Sequence, residues 1–166
     1  MQNLLTSEGE TRTDDWTLLP RDVSATELPT GDLIVPFRVW VEARTELLAR
    51  GSRAGVWLAS DEQAEDLEPF LAELAIIAID FPVFSDGRGY SNARILRERL
   101  GYDGELRAVG DVLRDQLFLM RRCGFDSFAL RSDRNAAQAV SALADFRHAY
   151  QHATIDPGVP LVRRDH

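Results

Sequence analysis

Residues 75–81, AIIAIDF, constrain this chain more than any other stretch: six of seven positions are apolar. Such a run is too continuous for a strand with one wet face, so it reads as a strand covered on both sides. Pro82 ends it. Four further short apolar runs, at 32–35, 54–59, 105–109 and 125–130, are each followed by a helical pattern. Pro36 suits the first turn of a helix reaching residue 50, with Phe37, Trp40, Val41, Leu47 and Leu48 as its inner face and Gly51 as its stop. Ser60 with Gln63 predicts a capping box for the next helix, which Pro69 breaks. Helices over 91–100, 111–123 and 134–151 follow. Gly101 and Gly124 close the first two, Asp111 serves as an N-cap, and Ala136, Val140, Leu143, Phe146 and Tyr150 line the last.

Five strand–helix alternations with short connections predict an α/β fold with a mostly parallel five-stranded sheet. Right-handed crossovers are expected to set helices on both faces, as a three-layer sandwich. The alternative is an incomplete (βα) barrel, because periodicity does not separate an open sheet from a curled one. The expected organisation is a tail and extended arm over 1–31, a single α/β domain over 32–153 and an irregular tail over 154–166. Residues 1–13 read as a loose tail, and 14–31 as an arm anchored by Trp16, Leu18 and Leu19.

All 19 basic residues of the 166 are arginines. The absence of lysine removes Schiff-base catalysis, pyridoxal-phosphate anchoring and the P-loop lysine. Residues 1–80 carry 16 acids and 6 arginines, a balance of −10, and 81–166 carry 11 acids and 13 arginines, a balance of +2, so the net −8 comes from the first half. That balance disfavours nucleic acid, whose phosphates demand a basic stripe, and suits a basic protein partner. No apolar run approaches the ~18 residues of a membrane span, and the N-terminus lacks a secretory pattern. The expected location is the cytoplasm. Cys123 is the sole cysteine, read as buried and inert, and His148 with His152 make a poor zinc pair, so no metal site is expected.

In a parallel sheet, ligands gather beyond the carboxyl ends of the strands. That rule selects Ser85, Asp86, Arg88, Tyr90 and Ser91 after the third strand, Gly110, Asp111 and Arg114 after the fourth, and Arg131, Ser132 and Asp133 after the fifth. Arg88, Tyr90, Ser91, Gly110, Arg114 and Arg131 are the candidate ligand-binding residues, and Asp86 and Asp111 the candidate proton carriers. The bland reading beside this one is a tight turn at Asp86–Gly87, with Ser91 as a helix cap and Arg88 paired to Asp86 or Asp111. Arg107, inside a strand, needs a partner, for which Asp126, Glu105 and Asp80 are available.

The run FSDGRGYSNARILRERLGYDGELRAVGDVLRDQLFLMRRCGFDSFAL, residues 84–130, resembles the signature of bacterial domain-of-unknown-function family 934, with a weaker likeness reaching back to Gly31. The resemblance implies a place in sulfur assimilation, since members of that family are described as oxidoreductases of sulfite reduction, in bacteria that carry the sulfite reductase haemoprotein. The residues themselves offer no dinucleotide fingerprint, iron–sulfur spacing or haem motif, so no cofactor is expected in the chain. Three functions stay open: an accessory or electron-transfer-associated component docked on the sulfite reductase haemoprotein, an enzyme acting on a small anion at the Arg/Asp rim, and a flavin or nicotinamide enzyme.

Overall fold

The structure, a computed structural model, describes residues 3–83 and 85–130. Its strands are β1 (Asn3–Thr6), β2 (Thr11–Thr13), β3 (Thr17–Leu18), β4 (Leu33–Pro36), β5 (Ala54–Leu58), β6 (Ile76–Phe81), β7 (Glu105–Gly110) and β8 (Ser127–Ala129). They form one sheet in the order β2-β1-β8-β7-β6-β5-β4-β3. The five strands expected from the apolar runs are β4 to β8, and every neighbouring pair from β3 to β8 is parallel. β1 runs antiparallel to both β2 and β8. The segment expected as a loose tail is therefore a hairpin: β1 lies between two strands and buries Leu4 and Leu5 on opposite faces of the sheet.

The three-layer sandwich is not what forms. From β3 to β8 the spatial order follows the chain order without a reversal, so successive right-handed crossovers all return on the same side. A sandwich with helices on both faces needs a point where that order reverses. The sheet instead curls into a half-barrel. One core holds Val35, Val56, Leu58, Ile77, Ile79, Phe81, Leu106, Ala108 and Phe128 with every buried apolar helix residue described. The alternate positions Leu4, Ile34, Trp57, Ile76, Ala78, Val109 and Ala129 form a second cluster that contains no helix residue.

Among the described residues the helices are α1 (Phe37–Ala49), a 3-10 helix over Ala64–Glu73, α2 (Arg88–Arg94) running on as a π turn over Ile95–Arg99, and α3 (Leu117–Cys123) preceded by the 3-10 turn Arg114–Gln116. α1 buries Val39, Trp40, Ala43 and Leu47; the buried stripe runs through 39, 43 and 47 with Trp40 beside it, so Val41 and Leu48 fall outside it and are exposed. Pro69 lies inside the Ala64–Glu73 segment, which forms as a 3-10 rather than an α-helix. Ser60 does not cap it; the carboxylate of Glu62 accepts the Ala59 N–H instead, at 2.7 Å. Within the arm, Leu19 is buried and Trp16 packs on the second cluster beneath Arg53, but Leu18 is 46% exposed and anchors nothing. No helix among the described residues is long and apolar enough to cross a membrane. The expected helix over 134–151, its two histidines and the tail over 154–166 lie outside the described residues.

Arg107 sits on the concave face at 2% exposure. It donates to Asp14 and Glu105 at 3.0 Å each and to the Ser127 hydroxyl at 3.2 Å, while Ser127 donates to Glu105 at 2.6 Å and Arg12 reaches Glu105 at 2.5 Å. Of its three expected partners Glu105 is the one used; Asp126 pairs with Arg97 at 2.5 Å. Burial works against the Glu105 carboxylate, but Ser127, Arg107 and Arg12 outweigh it and hold its pKa below the ordinary value. Truncation by Arg107→Ala leaves buried carboxylates uncompensated and is expected to cost about 3–5 kcal/mol in urea unfolding. Gly55→Ala should cost about 1–3 kcal/mol in the same assay, because a Cβ there would stand 2.6 Å from the Ile76 carbonyl oxygen and against its side chain.

Candidate functional site

The carboxyl ends of the parallel strands are where a half-barrel gathers its loops, and there the structure brings two hollows together. The first is a polar cleft between the segment after β5 and the start of α2, lined by Ser60, Asp61, Glu62, Gln63, Arg88, Ser91 and Asn92. Asn92, buried within it, fastens its two walls: its side-chain oxygen accepts the Ala64 N–H at 3.2 Å and its amide donates to the Glu62 carbonyl at 3.0 Å. The second is a groove on the concave face, lined by Leu18, Leu19, Pro20, Trp57, Asp80 and Val109. Asp80 and Val109 are direct partners across β6 and β7, and Trp57 on β5 stands opposite Ala78, two residues before Asp80 on the same face, so three adjacent strands contribute one side chain each to the groove.

Of the expected site residues, Asp86 and Arg88 come together as a closed pair. Arg88 donates through Nε and a terminal nitrogen to the two Asp86 oxygens at 3.0 and 2.8 Å, its backbone N–H adds a third bond at 3.0 Å, and its guanidinium reaches the Ser60 hydroxyl at 3.1 Å. Arg88, through its side chain and backbone, holds the Asp86 pKa at about 2, helped by Ser60. A carboxylate so held makes a poor proton carrier at neutral pH and a good clamp. Ser91 lines the cleft but does not cap the helix, which begins three residues earlier after Gly87.

Tyr90 leaves the rim altogether. Its ring packs edge-on against Phe81 at 5.2 Å, inside the helix-side core, and burial with the nearby Cys123 thiol pushes its pKa up. Cys123 itself is buried. Gly110 adopts φ +91, and a Cβ there would stand 2.5 Å from both the Asp80 carboxylate and the Phe81 carbonyl. Its part is to leave room for Asp80. Asp111 does not cap a helix either; its backbone N–H donates to the Phe81 carbonyl at 2.7 Å, and the following 3-10 turn starts beyond Leu113. Arg114 is exposed at the head of that turn. Arg131, Ser132 and Asp133 lie outside the described residues. Among the described residues no group of three or more His, Cys, Asp and Glu side chains could hold a metal ion.

Asp80 is the residue that rim counting passed over, although the sequence marked it as the single charge in AIIAIDF. Burial pushes its carboxyl pKa up, Arg21 pulls it back and Asp86 adds to the rise. The two neighbouring carboxyls are thus driven in opposite directions. Asp86, depressed, stabilises the fold above about pH 4 and loses that contribution as pH falls toward about 2. Asp80, raised, favours the fold below its ordinary pKa and loses that contribution as pH rises through its folded value. Carboxyl-carbon NMR titration should show Asp86 near 2 and Asp80 above 3.8, and Arg88→Ala should return Asp86 to about 4.

The sequence profile described as a bacterial protein of unknown function, DUF934, matches residues 55–161. No curated protein matches the chain.

Proposed function

We propose, for a chain that belongs to the bacterial family DUF934, a cytoplasmic accessory role in sulfite reduction, in which it docks on a redox enzyme rather than turning over substrate itself. The observation that carries this reading is that the two arginines beside the cleft, Arg88 and Arg21, already have carboxylate partners. Arg88 is held by Asp86 and Ser60, and Arg21 reaches Asp61 at 3.5 Å. An anion would have to displace those carboxylates. Docking is supported by the segment that follows β5, where Asp61, Glu62, Glu65, Asp66, Glu68 and Glu73 stand within thirteen residues. Arg99 and Arg44 take up Glu65 and Glu73, while Asp66 and Glu68 point to solvent. An acidic ridge of this kind steers and orients a partner with a basic face.

The partner in this reading is the sulfite reductase haemoprotein, which would supply the redox centre. Tagged protein purified from its own bacterium at low salt should bring that enzyme with it. The association should fall away near ~0.5 M salt, where the Debye length drops to a few Å, and in Asp66→Arg/Glu68→Arg. Purification at low salt without any enzyme of sulfur assimilation would refute the role.

A second reading is an enzyme acting on a small oxyanion, favoured by the convergence of Ser60, Ser91, Asn92 and Arg88 on one cleft. It expects sulfite or sulfate to raise the melting temperature of the protein, and Arg88→Ala to abolish that rise. Equal stabilisation in Arg88→Ala would exclude it.

A further inference from the structure

The groove beside the cleft has the opposite chemistry. It holds about 240 Å³, just under the roughly 300–1,000 Å³ of drug-sized ligand sites, which suits a single small ring. Its walls are apolar: Val109 and the Trp57 ring on the strands, and Leu18, Leu19 and Pro20 on the arm. The Trp57 indole N–H is committed to the Leu19 carbonyl at 2.9 Å, which fixes the arm over the groove and leaves the ring only its apolar body to offer. Leu18, which anchors nothing in the fold, forms an exposed apolar lip.

Asp80 carries the only charge among the described residues of this lining. Among the described residues no donor hydrogen-bonds to its carboxylate, and Arg21, whose charge it feels, is drawn toward Asp61. Gly110 is required for the Asp80 carboxylate to occupy this position, since any side chain there would collide with it. A half-buried carboxylate that opens on a groove takes its donor from whatever enters the groove, and a ligand N–H can fill that role. Arg21 and, more weakly, Asp86 act on Asp80 in opposite directions, so the selection against anions comes from the Asp80 carboxylate itself.

We propose that this groove binds a small organic cation: a flat apolar ring bearing a protonated nitrogen, with the ring between Trp57, Val109 and the 18–20 arm and the nitrogen on the Asp80 carboxylate. The charge supplies orientation, the aromatic and aliphatic walls supply burial, and a tryptophan face adds attraction for the cationic end. This site is separate from the acidic ridge, and the proposal stands or falls independently of the docking role.

The test uses the full chain and three isosteric probes: benzamidine, benzamide and benzoate. The Trp57 indole N–H signal, assigned by its loss in Trp57→Phe, reports binding by NMR. Benzamidine should shift it saturably, benzamide more weakly and benzoate not at all. In Asp80→Asn the affinity for benzamidine should fall about tenfold while that for benzamide stays unchanged. The same variant should melt at a higher temperature than the parent, which separates loss of the site from loss of the fold. No response to benzamidine, an equal response to benzoate, or undiminished benzamidine binding in Asp80→Asn would overturn the proposal.

Discussion

The buried guanidinium of Arg107 is the contact on which the concave side of this sheet depends. Curling the sheet leaves an inner face that no described helix covers, and a charge placed there must find all its partners locally. It finds Glu105 on its own strand, Ser127 on the next and Asp14 at the start of the arm. Arg12 on β2 then shares Glu105. Four separate segments are thereby tied to one point, and the chain's first residues become part of the sheet rather than an appendage. The network lies at the amino ends of the strands, the end a barrel uses for stability. The opposite end carries Asp80 and the Arg88 clamp.

Two helix stops at the amino ends of β7 and β8, opposite the site, show how locally the architecture is made. The π turn over Ile95–Arg99 carries Arg97 to the end of α3, where it donates to the carbonyls of Gly124, Tyr102 and Gly104 at 2.7–3.0 Å and to Asp126. Gly124 takes φ +110 as the C-cap of α3, and its close packing on Arg97 leaves no space for a larger residue. One arginine thus satisfies the carbonyls of two loops and fixes where β8 begins. Rigid loops at the amino ends free the loops at the carboxyl ends to vary in chemistry.

The parallel strands were legible because apolar runs, glycine stops and short connections are local signals, and β4 to β8 appear close to where those signals put them. The layering was not legible, because the side on which a helix returns depends on the order in which strands associate. β1 and β2 were missed since NLLT and TRT are too short to show a period and are stabilised only by β8 and by Arg12. In the candidate site, the pairing of Asp86 with Arg88 follows from a spacing of two residues and was foreseen as the simpler reading. Tyr90 was misplaced because α2 already begins at Arg88, two residues before it, which turns its ring onto Phe81. Asp80 carried the stronger signal, a charge in an otherwise apolar strand, but its meaning rests on Gly110 and Trp57, which approach it from neighbouring strands.

The described sheet ends on one side in β3, only two residues long, and Pro20 follows one residue later. Proline has no amide hydrogen, so a neighbouring chain that tried to extend the ladder along this border would lose its donor almost at once. The other border, β2, is three exposed residues with an arginine at the centre. A curved sheet left unclosed would ordinarily invite stacking into fibrils. Here both margins are too short and too polar to template one, so the half-barrel can keep its inner surface accessible to small molecules without recruiting copies of itself.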